Sequence, residues 1–168
     1  MQEMFFGGTE TTSGTIEWVM TELFRNPAES MKKVKEELNR VIGSNRKVEE
    51  SDIDELPYLD YRTQTLWVLE AWEDPLCFKP ERFIGSNIDY RGQNFELLPF
   101  GAGRRICVGI PMAHRVVHFA VASLLHCFDW ELDSNSAAEN LDVKERMGIT
   151  VRKLKPVKAI PKKKMMAE

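Results

Sequence analysis

Phe100-Gly101-Ala102-Gly103-Arg104-Arg105-Ile106-Cys107-Val108-Gly109 is the stretch of this 168-residue chain on which the reading of the fold turns. It follows Pro99 and precedes an apolar run, so it places a cysteine on a glycine-rich turn with two arginines upstream and a helix start downstream. Positive groups and the N–H donors of a helix end favour the thiolate over the thiol, and a thiolate is what a soft anionic metal ligand has to be. Gly103 and Gly109 would let the backbone come close to something flat. Two other readings stand beside this one. A single cysteine near a helix start is more often a small buried hydrophobe than a ligand. Gly101-x-Gly103 would also suit the opening of a phosphate loop, but no lysine followed by Ser/Thr comes after it, no third glycine stands at the dinucleotide spacing, and no convincing strand comes before it.

Outward from this loop the pattern changes in both directions. From Ile110 to Phe128 it is helical, with Val116, Val117, Phe119, Ala120, Leu124 and Leu125 making a broad apolar face. Upstream, Asp74-Pro75, Lys79-Pro80, Gly85, Asn87, Gly92 and Pro99 punctuate the chain at intervals too short for long elements, so turns and short extended pieces are expected. Tyr61 to Ala71 is apolar and aromatic with weak periodicity and takes no assignment. Thr11 to Gly43 reads as two helices, the first through Ile16, Val19, Met20, Leu23 and Phe24, the second through Met31, Val34, Leu38, Val41 and Ile42. Asn26-Pro27 separates them, because the residue before proline is pushed out of the helical region, and Gly43 stands where a C-terminal glycine is expected. Ser51 to Leu56 predicts a short helix that stops at Pro57. From Gly148 to Ile160, Ile149, Val151 and Leu154 alternate with charged residues, which predicts a strand or hairpin. The fold class is therefore mainly α with a minor β part, and no internal repeat or low-complexity segment interrupts it.

Composition narrows the function classes. A hydrophobic content of 43% with 10% aromatics is that of a chain that buries a core. The net charge of −3 is uneven: Arg152, Lys153, Lys155, Lys158, Lys162, Lys163 and Lys164 against Glu168 give the end +6 and leave −9 before it. That is not a nucleic-acid signature, and residues 161–168 are expected to be a solvated basic tail. Cys77, Cys107 and Cys127 are odd in number without CxxC spacing, so neither a disulfide framework nor a zinc site is indicated. No signal peptide and no run of about 18 uncharged apolar residues is present, so the chain by itself is expected to be soluble.

The cysteine stretch resembles the haem-binding loop F-x-x-G-x-R-x-C-x-G of the cytochrome P-450 family at every fixed position, through Phe100, Gly103, Arg105, Cys107 and Gly109. The resemblance implies a haem b cofactor with Cys107 as the axial thiolate ligand of the iron, which pushes electron density to favour O–O cleavage. Arg105 resembles the arginine that pairs with a haem propionate, and Phe100 the aromatic that shields the sulfur. Gly7-Gly8-Thr9-Glu10-Thr11-Thr12 resembles the family's central-helix motif, in which Glu10 and Thr11 would guide protons to bound oxygen. Taken alone, an acid followed by threonines is more often a helix cap. Pro80-Glu81-Arg82-Phe83 is similar to the P-E-R-F element, which implies a structural site at Arg82 that joins a glutamate and an arginine of an E-x-x-R helix.

Those partners are absent. A segment like Glu55-Leu56-Pro57-Tyr58-Leu59 is followed in the family by the E-x-x-R helix, yet Asp60 to Glu73 holds no such motif. Glu22-x-x-Arg25 and Glu37-x-x-Arg40 fit the letters but lie earlier, where they read as ordinary helix-face pairs. The chain is accordingly read as one partial haem-thiolate domain over residues 1–168: the end of the central helix, the following helices, the cysteine loop, the final long helix and a C-terminal hairpin. Residues 60–73 span an apparent internal deletion, and about the last third of a family chain is represented. Removing one partner of a buried ion pair costs roughly 3–5 kcal/mol, and a haem held on one face is wet, so weak haem retention or none and little turnover are expected.

The resemblance implies hydroxylation of a small apolar metabolite with dioxygen and electrons from an NADPH-dependent reductase. Asn87 to Gln93 and Phe95 to Phe100 are similar to plant microsomal members on the cytoplasmic face of the endoplasmic reticulum. Two rival functions remain: a non-catalytic product of a truncated gene or incomplete gene model without haem, and a helical interaction module using the apolar face of Ile110 to Phe128, a face more often core than interface. His114 and His118 are spaced i, i+4, as in a two-histidine metal site, but no acidic residue stands between them and no third ligand is in view, so surface or partly buried helix positions are expected.

Overall fold

A computed structural model of the chain describes residues 2–65, 83–133, 138 and 141–164. Helix α1 runs Gln2–Arg25, nine residues earlier than its apolar periodicity suggested. Its first turns carry Gly7-Gly8 in open solvent, and the hydroxyls of Thr11 and Thr15 donate to the carbonyls of Gly7 and Thr11 at 2.6 and 3.0 Å. Burial begins only at Val19 and continues to Phe24, so the periodic half of the helix is the half that packs. Asn26 leaves the helical region at φ −122°, and Pro27 opens a single π-turn, Pro27–Met31, that feeds directly into α2, Lys32–Val41. Gly43 ends this run with φ +76°, its N–H donating to Asn39 O at 3.0 Å, as the sequence predicted.

A short 3₁₀ turn, Glu50–Glu55, lies where a helix was expected from Ser51. Glu49 and Asp52 cap it reciprocally, and Arg46 grips Asp52 through two bonds of 2.7 Å. Pro57 ends that turn and at once opens α3, Pro57–Thr65, because a proline at the first helical position forfeits no hydrogen bond. Two N–H groups of that first turn, on Tyr58 and Leu59, donate to the Glu37 carboxylate at 2.8 and 3.0 Å. Glu37-x-x-Arg40 is therefore not the ordinary surface pair the sequence implied: Glu37 is a buried anchor between α2 and α3. Glu22 and Arg25 do pair within α1 at 2.8 Å.

Helix α4, Ile110–Cys127, supplies the other half of the core. Val117, Val121 and Leu125 are buried against Val19 and Leu23 of α1, Val34 and Leu38 of α2, and Leu56 and Leu59 at the start of α3. Of the apolar face expected on this helix, Val117 and Leu125 are core, whereas Val116 and Phe119 each remain 41% exposed. Strand β1, Phe128–Leu132, follows α4 without a gap. Its inward residues include Trp130, whose indole N–H donates to Leu124 O at 3.0 Å and whose ring meets Phe24 edge-on at 6.1 Å.

Strand β2 is Glu145–Arg146, β3 is Arg152–Lys153 and β4 is Ala159–Lys163. β2 and β3 pair as a small antiparallel hairpin, while β4 pairs antiparallel with β1, Trp130 facing Pro161. The strand-or-hairpin pattern expected over Gly148 to Ile160 thus divides between two sheets. Within the basic end, Pro161 to Lys163 lie in β4, and Lys162 pairs with Glu131, so these residues are not a solvated tail. The expected class, mainly α with a minor β part, is the class observed. No helix among the described residues is long and apolar enough to cross a membrane.

Candidate haem-thiolate site

The cysteine loop is built from three tight turns in succession. Gly101 takes φ +73° and its N–H donates to Leu98 O at 3.2 Å. Gly103, at φ +64°, opens the 3₁₀ turn Gly103–Arg105, which closes through Ile106 N–H on Gly103 O at 3.2 Å. Both positions demand a left-handed backbone, where a Cβ meets the following carbonyl, so glycine is the residue that fits. The Cys107 N–H then returns to Phe100 O at 2.9 Å and ties the loop across its base.

This geometry turns Cys107 outward: it is exposed, which sets aside the reading of a small buried hydrophobe. Gly109 N–H donates to Sγ at 3.3 Å, and α4 begins one residue later. Gly109 itself has φ −85°, so its backbone is ordinary. A Cβ there would sit 3.6 Å from Sγ, and its absence leaves the sulfur's flank open. Arg104 and Arg105 are exposed, and no ion pair among the described residues engages either. Phe100 contributes its carbonyl to the loop and sets its ring edge-on to Tyr90 at 5.8 Å. An outward sulfur with an N–H donor, an uncommitted guanidinium two residues away and a glycine-bared flank match the donor set of a haem thiolate site.

Glu10 and Thr11 are placed inside α1, so they do not cap a helix. Thr11 bonds back to Gly7 O, and Glu10 forms an ion pair with Arg152 of β3. Glu10 and Arg152 also border a cleft of about 140 Å³ with Phe6 and Ile149. No hydrogen bond or ion pair among the described residues joins either residue to the cysteine loop. Arg82 lies outside the described residues, as do Cys77 and most of the 60–73 interval.

The contacts of Gly92, Tyr90 and His114 were not foreseen from sequence. Gly92, at φ +78°, lies so close under the loop that a Cβ would come 2.9 Å from Gly101 O and 3.1 Å from Ala102 Cα. Tyr90, on the same turn, shares a hydrogen bond of 2.9 Å between its hydroxyl and His114 Nδ1, and burial pushes its pKa up to about 12, so its hydroxyl stays neutral. His114 in turn is held below its ordinary pKa, first by burial and then by His118. These contacts fasten the loop to α4. The turn-forming glycine was visible as punctuation, but its neighbours across the loop were not.

A family model for cytochrome P450 matches residues 1–62 and 68–159. The chain belongs to the cytochrome P450 family. Iridoid oxidase of Catharanthus roseus is 46% identical over 205 aligned positions that cover 98% of this chain and 40% of that protein. Cytochrome P450 76A1 of Solanum melongena is 46% identical over 96% of this chain and 43% of its own length. Geraniol 8-hydroxylase of Catharanthus roseus is 40% identical, with 95% and 40% covered. A zebra fish cytochrome P450 solved with abiraterone superposes with a TM-score of 0.78 at 26% identity, over 96% of this chain and 46% of that one. The chain thus spans about 40% of the length of the curated relatives it matches. Haem is the cofactor that membership of this family implies. Since 98% of 168 residues is about 165, about 40 of the 205 aligned positions of the iridoid oxidase face no residue here.

Proposed function

We propose that this P450 chain carries the proximal half of a haem-thiolate monooxygenase site, with Cys107 as the axial ligand of the iron and Phe100, Gly103, Arg105 and Gly109 shaping the cradle. The observation that carries the reading is the exposed Cys107 with Gly109 N–H donating to its sulfur at 3.3 Å on a loop whose exposed Arg105 has no ion-pair partner among the described residues. Haem, when bound, supplies the activation of dioxygen. The chain's own part is to present the sulfur, to spread its negative charge into the Gly109 N–H, and to offer Arg105 to a propionate. Glu10 and Thr11 are proposed as the acid and hydroxyl that relay protons, which requires Glu10 to leave Arg152 and Thr11 to leave Gly7 O. Arg82 is proposed as a structural arginine.

For the parent activity we propose hydroxylation of a small apolar, terpenoid-type metabolite, in keeping with relatives named iridoid oxidase and geraniol 8-hydroxylase. The electrons come from an NADPH-dependent reductase, and the setting is the cytoplasmic face of the endoplasmic reticulum. A second reading concerns the molecule itself: an internal deletion within residues 60–73 leaves it weak or inactive, a truncated gene product or an incomplete gene model. The family match breaks over residues 63–67 and the alignment surplus of about 40 positions supports this.

The reduced carbon-monoxide difference spectrum, recorded with haem supplied and with Cys107→Ala beside it, tests both. A red-shifted thiolate Soret band lost in Cys107→Ala supports the proximal site, and reductase-driven turnover is then measured. No band from the wild-type chain overturns the haem assignment and leaves the non-catalytic reading.

A further inference from the structure

The two histidines that sequence left without a third ligand acquire one in the fold. Asp60 comes from α3, His114 and His118 from successive turns of α4, and one donor atom from each lies within 4.8 Å of the others. His118 is 3% exposed, and its Nδ1 lies 2.6 Å from the carbonyl oxygen of His114. That distance to an acceptor requires the proton on Nδ1, so in the neutral ring Nε2 carries the lone pair. Nε2 lies 3.1 Å from Asp60 Oδ1, yet neither atom makes an aligned hydrogen bond, and both count as buried polar atoms without a partner. The other oxygen of Asp60 is already taken by Gln64 Nε2 at 2.8 Å. His114 Nδ1 lies 2.9 Å from the Tyr90 hydroxyl and 3.8 Å from the same Oδ1, so it can ligate only when that hydroxyl turns away. His118 Nε2 and Asp60 Oδ1 thus face each other buried and unpartnered, with His114 Nδ1 beside them, a cost that a cation at their centre removes.

We propose that Asp60, His114 and His118 form a binding site for one zinc-class divalent cation, held by Asp60 Oδ1, His118 Nε2 and His114 Nδ1. Donors about 2.0–2.1 Å from a tetrahedral zinc stand about 3.3 Å apart, and the separations of 3.1 and 3.8 Å bracket that value. The supporting contacts that such ligands require are in place: His118 Nδ1–H on a carbonyl and Asp60 Oδ2 on Gln64. Asp60 and His114 are about a quarter exposed, which provides the entry path. The site lies apart from Cys107 and rests on no haem. Its effect is to clamp α3 to α4.

The test is calorimetric titration of the full chain, stripped with chelator, with Zn²⁺, and with Co²⁺ to read the visible ligand-field bands. One ion per chain at micromolar or tighter affinity is expected, weakened at least tenfold by His118→Gln, by Asp60→Asn and by the partly exposed His114→Gln, and unchanged by Cys107→Ala. Far-UV circular dichroism of each variant confirms folding, and the wild-type titration decides without them. No stoichiometric binding by the wild-type chain overturns the proposal and leaves a protonated His118 paired with Asp60. Binding that is lost in Cys107→Ala but kept in His118→Gln overturns it in favour of thiolate ligation.

Discussion

Replacing Gly92 by alanine tests whether the cysteine loop is held from beneath. At φ +78° an L-residue is strained by about 1–2 kcal/mol. The new methyl also comes 2.9 Å from Gly101 O and 3.1 Å from Ala102 Cα, both backbone atoms of the loop, so they cannot swing aside as Ile106 Cδ1 can. Overpacking of this kind costs about 1–3 kcal/mol, which brings the total to about 2–5 kcal/mol. Gly85→Ala is the internal control: Gly85 has φ +74° and nothing within 4 Å of its Cβ, so it suffers only the backbone term of about 1–2 kcal/mol. Urea denaturation followed by far-UV circular dichroism gives both values, and the carbon-monoxide spectrum reports the loop directly. Gly92→Ala should be less stable than Gly85→Ala by about 1–3 kcal/mol and should take up less haem. Equal destabilisation of the two variants would refute the argument, since it would mean that the loop does not rest on Gly92.

Leu97 is fully buried next to the loop, and Leu97→Ala is expected to cost about 2–5 kcal/mol in the same urea assay. Burial raises the Glu37 carboxyl above its ordinary value against the two N–H bonds that lower it. Its contribution to stability is therefore present in full below the unfolded value of 4.5 and declines as pH rises through the folded value, so Glu37→Gln should flatten the fall in melting temperature above pH 4.5. Asp52 behaves oppositely: Arg46, bonded to its carboxylate, holds its pKa low. The stability it supplies is present above 3.8 and lost as pH falls through the folded value, and Asp52→Asn should make the acid limb of the melting profile shallower.

Local sequence carried far in this chain wherever the controlling interactions are local. Asn26-Pro27, Gly43 and Pro57 mark element ends because proline and glycine restrict their own backbone and that of the residue before. The cysteine loop was legible for the same reason, its turns being dictated by Gly101 and Gly103 within a few residues of Cys107. Strand β1 was passed over although Phe128 to Leu132 alternates cleanly, since five residues following a long helical pattern weigh little without knowledge that β4 pairs with them. Glu37 was misread because the letters of an i, i+3 pair do not reveal that α3 begins on its carboxylate.

By itself, then, the sequence determined the family, the cysteine that stands at the ligand position of that family's motif, the helical class and most helix ends, all of which depend on neighbours along the chain. The partners of the charged and polar groups were decided only by tertiary structure: Glu10 with Arg152, Gly92 beneath the loop, and Asp60 brought from α3 to two histidines of α4 more than fifty positions away. Such pairings arise because buried apolar faces of α1, α2, α3 and α4 must meet, and the polar groups at their margins are carried to whatever that packing sets beside them.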